Sequence, residues 1–226
     1  MPSPKWSRHL PGTEDPLSSG RSAADPPGKS GRIGIFGGTF DPIHVGHLVA
    51  AVNVRHAMAL DRVLLVVANV PWQKVGARFV TPANERLALV EAAVGDVDGI
   101  EASSVEIDRG GVSYTADTVR EIARLHGDSS LFLVIGEDVA RDLSSWERVE
   151  ELRDRVTLVV VTRPGPFARV AGPPAGWRSV SVEIPALEIS STDLRDRAAT
   201  GRPLDFLIPP AAIQRIRERS LYAVEE

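Results

Sequence analysis

Short apolar segments rich in β-branched residues alternate with helix-forming segments from residue 31 onward. The apolar segments predict strands over 32–36, 62–67, 100–107, 131–135, 156–161 and 179–184. The segments between them predict helices over 46–58, 82–94, 116–125, 192–199 and 211–219, with a further helix closing at 149–153. Strands that are apolar on both faces and separated by helices are typical of a parallel sheet. We therefore predict an α/β fold with a mostly parallel sheet and helices on both faces.

Length and composition narrow the classes of protein that this chain can represent. Its 226 residues suit one domain with a tail. The formal net charge of −4 gives no global field that favours nucleic acid or an anionic membrane, so neither is an expected partner. The absence of cysteine excludes disulfides and thiolate catalysis and is compatible with the cytoplasm, which is the expected location. Apolar runs such as 63–67 are too short to cross a bilayer.

Residues 1–30 differ in composition from the rest of the chain. They are rich in Pro, Ser and Gly and lack both apolar periodicity and the sustained apolar stretch of a secretory signal. Such a segment buries too little apolar surface to offset the entropy lost on ordering. We predict a disordered leader over 1–30, or a start codon assigned too early with translation beginning near Gly31. Residues 31–226 then form a single domain that ends in helices.

One run, residues 34–47, joins the first predicted strand to the first predicted helix. The strand ends in Gly37-Gly38, and an Asp-Pro pair at Asp41 fixes the loop that follows. His44 and His47 then stand three residues apart where the helix begins, a spacing that puts two side chains on one face. Such a turn brings backbone N–H groups and the positive end of a helix against a phosphate. Two imidazoles there can donate to the same anion, so the run indicates handling of a nucleotide triphosphate.

Three further segments are predicted to reach the same place. Gly136-Glu137-Asp138 and Thr162-Arg163-Pro164-Gly165 each follow a predicted strand, and ligands gather at the carboxyl ends of strands in such sheets. The third segment, Ser190-Ser191-Thr192-x-x-Arg195, predicts a second phosphate-binding helix start. Ser191 or Thr192 is the predicted N-cap, and Arg195 lies one turn into the helix, where its guanidinium can grip phosphate oxygens. In isolation the same block would be read as a capped helix with an exposed arginine.

The run Gly37-Gly38-Thr39-Phe40-Asp41-Pro42-Ile43-His44-Val45-Gly46-His47, with Ile189-Ser190-Ser191-Thr192-Asp193-Leu194-Arg195, resembles the nucleotidyltransferase superfamily that carries a His-x-Gly-His signature. Within that superfamily the chain is similar to the bacterial nicotinate-nucleotide adenylyltransferases. Intermediate blocks agree: Gly110-Gly111-Val112-Ser113-Tyr114-Thr115, Gly136-Glu137-Asp138 followed by Trp146, and Thr162-Arg163-Pro164-Gly165. The resemblance spans about residues 31–222 and implies a Rossmann-like nucleotidyltransferase fold.

The resemblance implies that the phosphate of nicotinate mononucleotide attacks the α-phosphorus of ATP and expels pyrophosphate. Because that nucleophile is already an anion, the expected task is to align two anions and to stabilise charge on phosphoryl oxygens. His44, His47 and Arg195 are the predicted catalytic residues. Mg²⁺ is expected to arrive on the triphosphate, without a metal site in the protein. The predicted ATP-binding residues are Gly37, Gly38, Thr39, Phe40, Gly46, Gly136, Asp138, Arg163, Ser190, Ser191 and Thr192.

The predicted substrate-binding residues are Asp41, Lys74, Tyr114, Thr115 and Trp146. Free N–H groups where the helix starts at Thr115 favour a carboxylate, which nicotinate carries and nicotinamide lacks. Trp146 matches the position where an aromatic ring stacks on the pyridine in the family, although a tryptophan there also suits simple packing. Asp41 organises its loop and can also face the ligand. Many relatives carry Pro-Pro-His-Lys where this chain has Pro71-Trp72-Gln73-Lys74, so Lys74 is retained and the histidine is missing.

Other functions stay open at the level of sequence. Use of nicotinamide mononucleotide, alone or with the nicotinate form, requires only a changed dipole at one end of a pocket. Another adenylyltransferase, such as one for phosphopantetheine, would keep the histidine run but is expected to lack the block over 110–115. A non-catalytic nucleotide sensor would usually have lost a catalytic histidine or the arginine. The sequence does not set the oligomeric state and leaves a homo-oligomer open.

Overall fold

The computed structural model describes residues 31–71, 79–164 and 175–223. The predicted leader over 1–30 and the retained Lys74 lie outside these described residues. Six strands are formed: β1 Arg32–Gly38, β2 Arg62–Val67, β3 Ile100–Ser103, β4 Ser130–Gly136, β5 Val156–Thr162 and β6 Ser179–Glu183. The helices are α1 Val45–Ala57, α2 Ala83–Val94, α3 Val105–Arg109, α4 Thr115–His126, α5 Glu137–Arg141, α6 Glu150–Arg153, α7 Ser191–Ala199 and α8 Pro210–Glu218.

All six strands form one parallel sheet in the order β3-β2-β1-β4-β5-β6. The chain builds outward from β1 to β3, then returns to place β4 on the other side of β1. The register pairs Ile35 of β1 with Leu64 of β2 and with Leu133 of β4. The strand order therefore reverses between β1 and β4, the place where doubly wound sheets open a ligand crevice at the carboxyl ends of their strands. The predicted α/β fold is confirmed.

Alternate residues of β2, β4 and β5 contribute to two separate cores, one on each face of the sheet. On one face, Leu65 of β2 and Val134 of β4 belong to a buried cluster with side chains of α1, α2, α7 and α8. On the other face, Ile35 and Leu133 belong to a cluster with side chains of α3, α4, α5 and α6. Because both faces are covered, the central strands need apolar residues at every position, which is the pattern the sequence shows.

Two local predictions are wrong. The predicted strand over 100–107 ends at Ser103, whose pairing with Val66 closes the β3 ladder, and α3 follows from Val105. Apolar residues at 105 and 107 look like strand alternation, but they belong to a short helix that stops at Gly110, where φ is +72°. Pro82, predicted as the first helical residue, is the N-cap of α2.

Among the described residues, every helix is too short or too polar to span a bilayer.

Candidate active site

A cavity of about 260 Å³ opens at the carboxyl ends of β1 and β4, where the strand order reverses. Its wall includes seven residues that the sequence had marked for ATP or substrate: Gly37, Gly38, Thr39, Tyr114, Thr115, Gly136 and Trp146. These residues come from three separate blocks of sequence, and parallel pairing brings the blocks together. Three of the motifs that were expected to meet at one cleft therefore do so: the turn after β1, the start of α4, and the segment that follows β4.

The two glycines of the turn that ends β1 are needed for different reasons. A Cβ added at Gly37 would meet nothing within 4 Å, so this backbone faces open space in the cavity wall. A Cβ at Gly38 would lie 2.7 Å from the ring of Phe40, which is buried and has a φ of +49°. Gly37 thus leaves the backbone accessible to a ligand, whereas Gly38 makes room for Phe40.

His44 and His47 form a stacked pair at the start of α1. His44 is the N-cap residue, and the two ring centroids lie 3.7 Å apart. The Phe40 ring meets His47 edge-on at 5.0 Å, which restrains that imidazole from the side of the Gly-Gly turn. The backbone N–H of His44 donates to Nδ1 of His47 at 3.3 Å, so a neutral His47 carries its proton on Nε2. The predicted shared face is confirmed, and His47 has a defined donor atom.

Burial and a nearby cation keep His44 neutral. The side chain is 6% exposed, and no described residue forms a hydrogen bond with its Nδ1. Burial, followed by the charge of Arg163, lowers the pKa of His44 from its ordinary 6.5 to about 4. A Cβ at Gly46 would approach Nδ1 of His44 to 3.0 Å, so the middle residue of the motif must be small for the ring to lie where it does. Arg163, which follows β5, is thereby brought to the histidine pair.

Asp41 is a buried organiser of the loop before α1. It is 1% exposed, and its Oδ1 accepts a hydrogen bond from the Tyr222 hydroxyl at 3.0 Å. Burial and the charge of Asp41 raise the pKa of Tyr222, so the phenol stays protonated and donating. The peptide bond between Asp41 and Pro42 is cis. Of the two roles expected for Asp41, the geometry supports loop organisation, with its side chain turned to Tyr222.

The start of α7 is joined to the same loop, although its predicted cap is wrong. Ser190 is the N-cap and accepts from the Asp193 N–H at 3.1 Å, because Ser190 is the last residue with extended backbone before the helix. Ser191 instead donates from Oγ to the Pro42 carbonyl at 3.0 Å. Arg195 donates to the Asp41 carbonyl at 2.6 Å and to Thr192 Oγ1 at 3.1 Å. The second predicted phosphate site therefore lies beside the residues that lead into His44.

The other side of the cavity is built by β4 and the start of α4. A Cβ at Gly136 would lie 2.5 Å from Oδ1 of the exposed Asp138, so glycine is needed for that carboxylate to fold back over the strand end. Tyr114 is the N-cap of α4 and makes no side-chain cap, which leaves the first N–H groups of the helix available at the cavity. Trp146 is half-buried in the same wall and also packs against the core on that face of the sheet, so its stacking role stays a prediction.

Two buried residues that support this site were missed from sequence. Arg86 of α2 is 1% exposed and donates to the carbonyl oxygens of Thr39, Ala68 and Thr81, each at 2.7 Å. Glu106 of α3 is 6% exposed and lies in the cavity wall. A charged residue inside an apolar helical stretch was the available signal for Arg86, whereas Glu106 was obscured by the strand predicted over 100–107.

Residues 35–197 match the family described as cytidylyltransferase-like. The chain is 42% identical over 192 residues to a protein of Corynebacterium kroppenstedtii named "probable nicotinate-nucleotide adenylyltransferase", covering 84% of this chain and 90% of that relative. It is 43% identical over 190 residues to one of Streptomyces coelicolor, covering 84% of this chain and 100% of the relative.

Among solved structures, the fold is similar to that of Plasmodium falciparum nicotinic acid mononucleotide adenylyltransferase complexed with NaAD. The TM-score is 0.69 at 19% identity, and the match covers 85% of this chain and 98% of that one. A second structure of the same protein, complexed with APC, gives a TM-score of 0.67 at the same identity and coverage. At this identity the structures bear on the fold, while the sequence relatives bear on the family. The chain belongs to the nicotinate-nucleotide adenylyltransferases, within the cytidylyltransferase-like family.

Proposed function

We propose that this chain transfers the adenylyl group of ATP to nicotinate mononucleotide. A phosphate oxygen of the mononucleotide forms a bond to the α-phosphorus of ATP, and the bond from that phosphorus to the α,β-bridging oxygen breaks. The products are nicotinate adenine dinucleotide and pyrophosphate. The observation that carries the proposal is the position of the stacked histidine pair, which contacts Phe40 just beyond the Gly-Gly turn in the wall of an aromatic-lined cavity.

The histidine pair supplies N–H donors in a restrained geometry. Nδ1 of His47 accepts from the His44 backbone N–H, which puts the proton of a neutral His47 on Nε2, and we assign that N–H to an oxygen of the reacting phosphoryl group. His44 stays neutral because of burial and Arg163, so it donates through a single N–H. The N-terminus of α1 adds partial positive charge at the same place. Fixed donors of this kind stabilise charge that builds on phosphoryl oxygens as the new bond forms.

Arg195, Arg163 and the start of α7 are proposed to hold the triphosphate. Arg195 is anchored on the carbonyl of Asp41, three residues before His44, so its guanidinium is placed near the pair before ATP arrives. Arg163 acts on His44 through its charge and is exposed, and it can therefore meet an anion there. Mg²⁺ is proposed to enter bound to the triphosphate and to neutralise part of its charge. Asp138, exposed at the end of β4, is proposed to accept from ribose hydroxyls.

The pyridine end is assigned to the cavity between Tyr114 and Trp146. Both aromatic side chains lie in its wall, where they can contact the flat ring. The N-terminus of α4 favours the nicotinate carboxylate over the neutral nicotinamide amide. The similar Plasmodium falciparum enzyme was solved in complex with NaAD, which is in keeping with a product of this kind. A cytoplasmic location remains a prediction from sequence.

The test is pyrophosphate release by the purified full-length chain with ATP and Mg²⁺. Nicotinate mononucleotide, nicotinamide mononucleotide and phosphopantetheine are compared as acceptors. We expect release with the nicotinate form and a much lower rate with the nicotinamide form. Equal rates with both pyridine nucleotides would retain the reaction and remove the role given to the α4 N-terminus. No release with either would overturn the proposed function.

A further inference from the structure

Glu106 is a buried carboxylate whose hydrogen bonding is incomplete. It lies in α3, is 6% exposed, and contributes to the wall of the cavity. Its Oε1 accepts a hydrogen bond from the Thr118 hydroxyl of α4. Its Oε2 is buried and has no hydrogen-bond partner among residues 31–71, 79–164 and 175–223. Burying a carboxylate oxygen without a hydrogen-bond donor costs free energy. A ligand bound in the cavity is the natural source of a group that offsets this cost.

The neighbouring cations of α3 and α4 are directed elsewhere. Arg109 donates to Thr118 Oγ1 at 3.4 Å rather than to Glu106. Asp117 at the start of α4 accepts hydrogen bonds from both Arg148 and Arg120, which holds the pKa of that carboxyl below its ordinary range. Among the described residues, no ion pair to Glu106 is formed, whereas the more exposed Asp117 has two. Within the part of the chain that the structure describes, the Glu106 carboxylate thus lines a ligand cavity without a direct ion pair, and Arg109 reaches it only through the Thr118 hydroxyl.

We propose that Glu106 is the counter-charge for the pyridinium ring of the bound mononucleotide. This inference rests on the proposed function, which places that ring in the cavity. The ring nitrogen of a pyridine nucleotide is quaternary because it carries the ribose, so the oxidised ring bears a delocalised positive charge. A carboxylate in the wall attracts that charge in surroundings where screening by water is weak. Both nicotinate and nicotinamide forms share this charge, so Glu106 selects oxidised pyridinium over a neutral ring and leaves the choice of carboxylate or amide to α4.

The experiment compares two mononucleotides that differ in ring charge. One is nicotinate mononucleotide; the other is the C-nucleotide in which a benzoate ring, with carbon in place of the charged nitrogen, carries the same carboxylate and ribose phosphate. Affinities are measured by calorimetry for the full-length chain and for Glu106→Gln, whose amide oxygen can still accept from Thr118. We expect Glu106→Gln to weaken binding of the pyridinium compound about tenfold or more and to leave the neutral-ring compound unchanged. Asp108→Asn, which removes an exposed carboxylate from the same short helix, should change neither affinity.

Three results would overturn the proposal. The first is equal binding of both rings by the unaltered protein, which needs no variant and so does not depend on how Glu106→Gln folds. The second is unchanged binding of nicotinate mononucleotide by a folded Glu106→Gln protein. The third is an equal loss for both compounds, which would mean that Glu106 only supports the shape of the cavity. Pyrophosphate release by the unaltered protein, measured in parallel, separates these results from failure of the proposed function itself.

Discussion

Replacing Arg86 with Met should destabilise the fold and disconnect the loops on which the site rests. The guanidinium donates to the carbonyl oxygens of Thr39 after β1, Ala68 and Asn69 after β2, and Thr81 before α2. With Arg86 only 1% exposed, these acceptors have little access to replacement water. Hydrogen bonds from a charged donor contribute about 1.5–3 kcal/mol each, but losses in one network are not additive. Methionine refills part of the volume, so we expect a net loss of about 3–5 kcal/mol.

That loss is large beside the ~5–15 kcal/mol that stabilises a typical domain. Urea unfolding followed by circular dichroism measures it: at a slope near 2 kcal/mol/M, the midpoint should fall by about 2 M with the slope unchanged. Arg86→Lys keeps the charge but offers a single compact ammonium in place of the forked guanidinium. Its urea midpoint should lie between those of the unaltered chain and Arg86→Met. Arg217→Met, an exposed arginine on α8, is the matched control and should unfold as the unaltered chain does. A loss below about 1 kcal/mol for Arg86→Met would refute the reasoning from these contacts.

Three further expectations concern the phosphate side of the site. His47→Ala should lower kcat by about 100-fold or more and leave the protein folded, because it removes a fixed donor while α1 remains packed; unchanged turnover would remove His47 from catalysis. Arg195→Ala should mainly impair the use of ATP, and an unchanged KM and kcat for ATP would contradict that role. His44 should make stability depend on pH. Its pKa is lowered to about 4 in the folded state, so the unfolded chain binds the extra proton and stability falls as pH drops from about 6.5 toward 4. Urea unfolding at each pH should show that the free energy of unfolding falls by about 2 kcal/mol between pH 7 and pH 5, a loss that His44→Gln lacks. An equal pH dependence of this free energy in the two proteins would exclude His44 as the cause.

The local and periodic parts of the structure were determined by the sequence alone. β2 has the predicted bounds, and α1, α4, α7 and α8 begin and end within one or two residues of prediction. That His44 and His47 share one face also followed from sequence, since residues three apart at a helix start lie on the same side. These features depend on neighbours along the chain, and a pattern of residues records such neighbours directly.

Contacts between distant segments were decided only by the tertiary structure. The donation from Tyr222 to Asp41 joins residues 181 positions apart, and Arg86 reaches Thr39 across 47. Nothing in a residue's type reveals which backbone carbonyl its side chain will find once the sheet is assembled. The same holds for Glu106, whose burial in the cavity wall depends on α3 replacing the predicted end of β3. The types and spacing of residues in the sequence therefore predict the chemistry of the site. Packing across the sheet decides which charged side chains line the cavity and which hold the loops of the site.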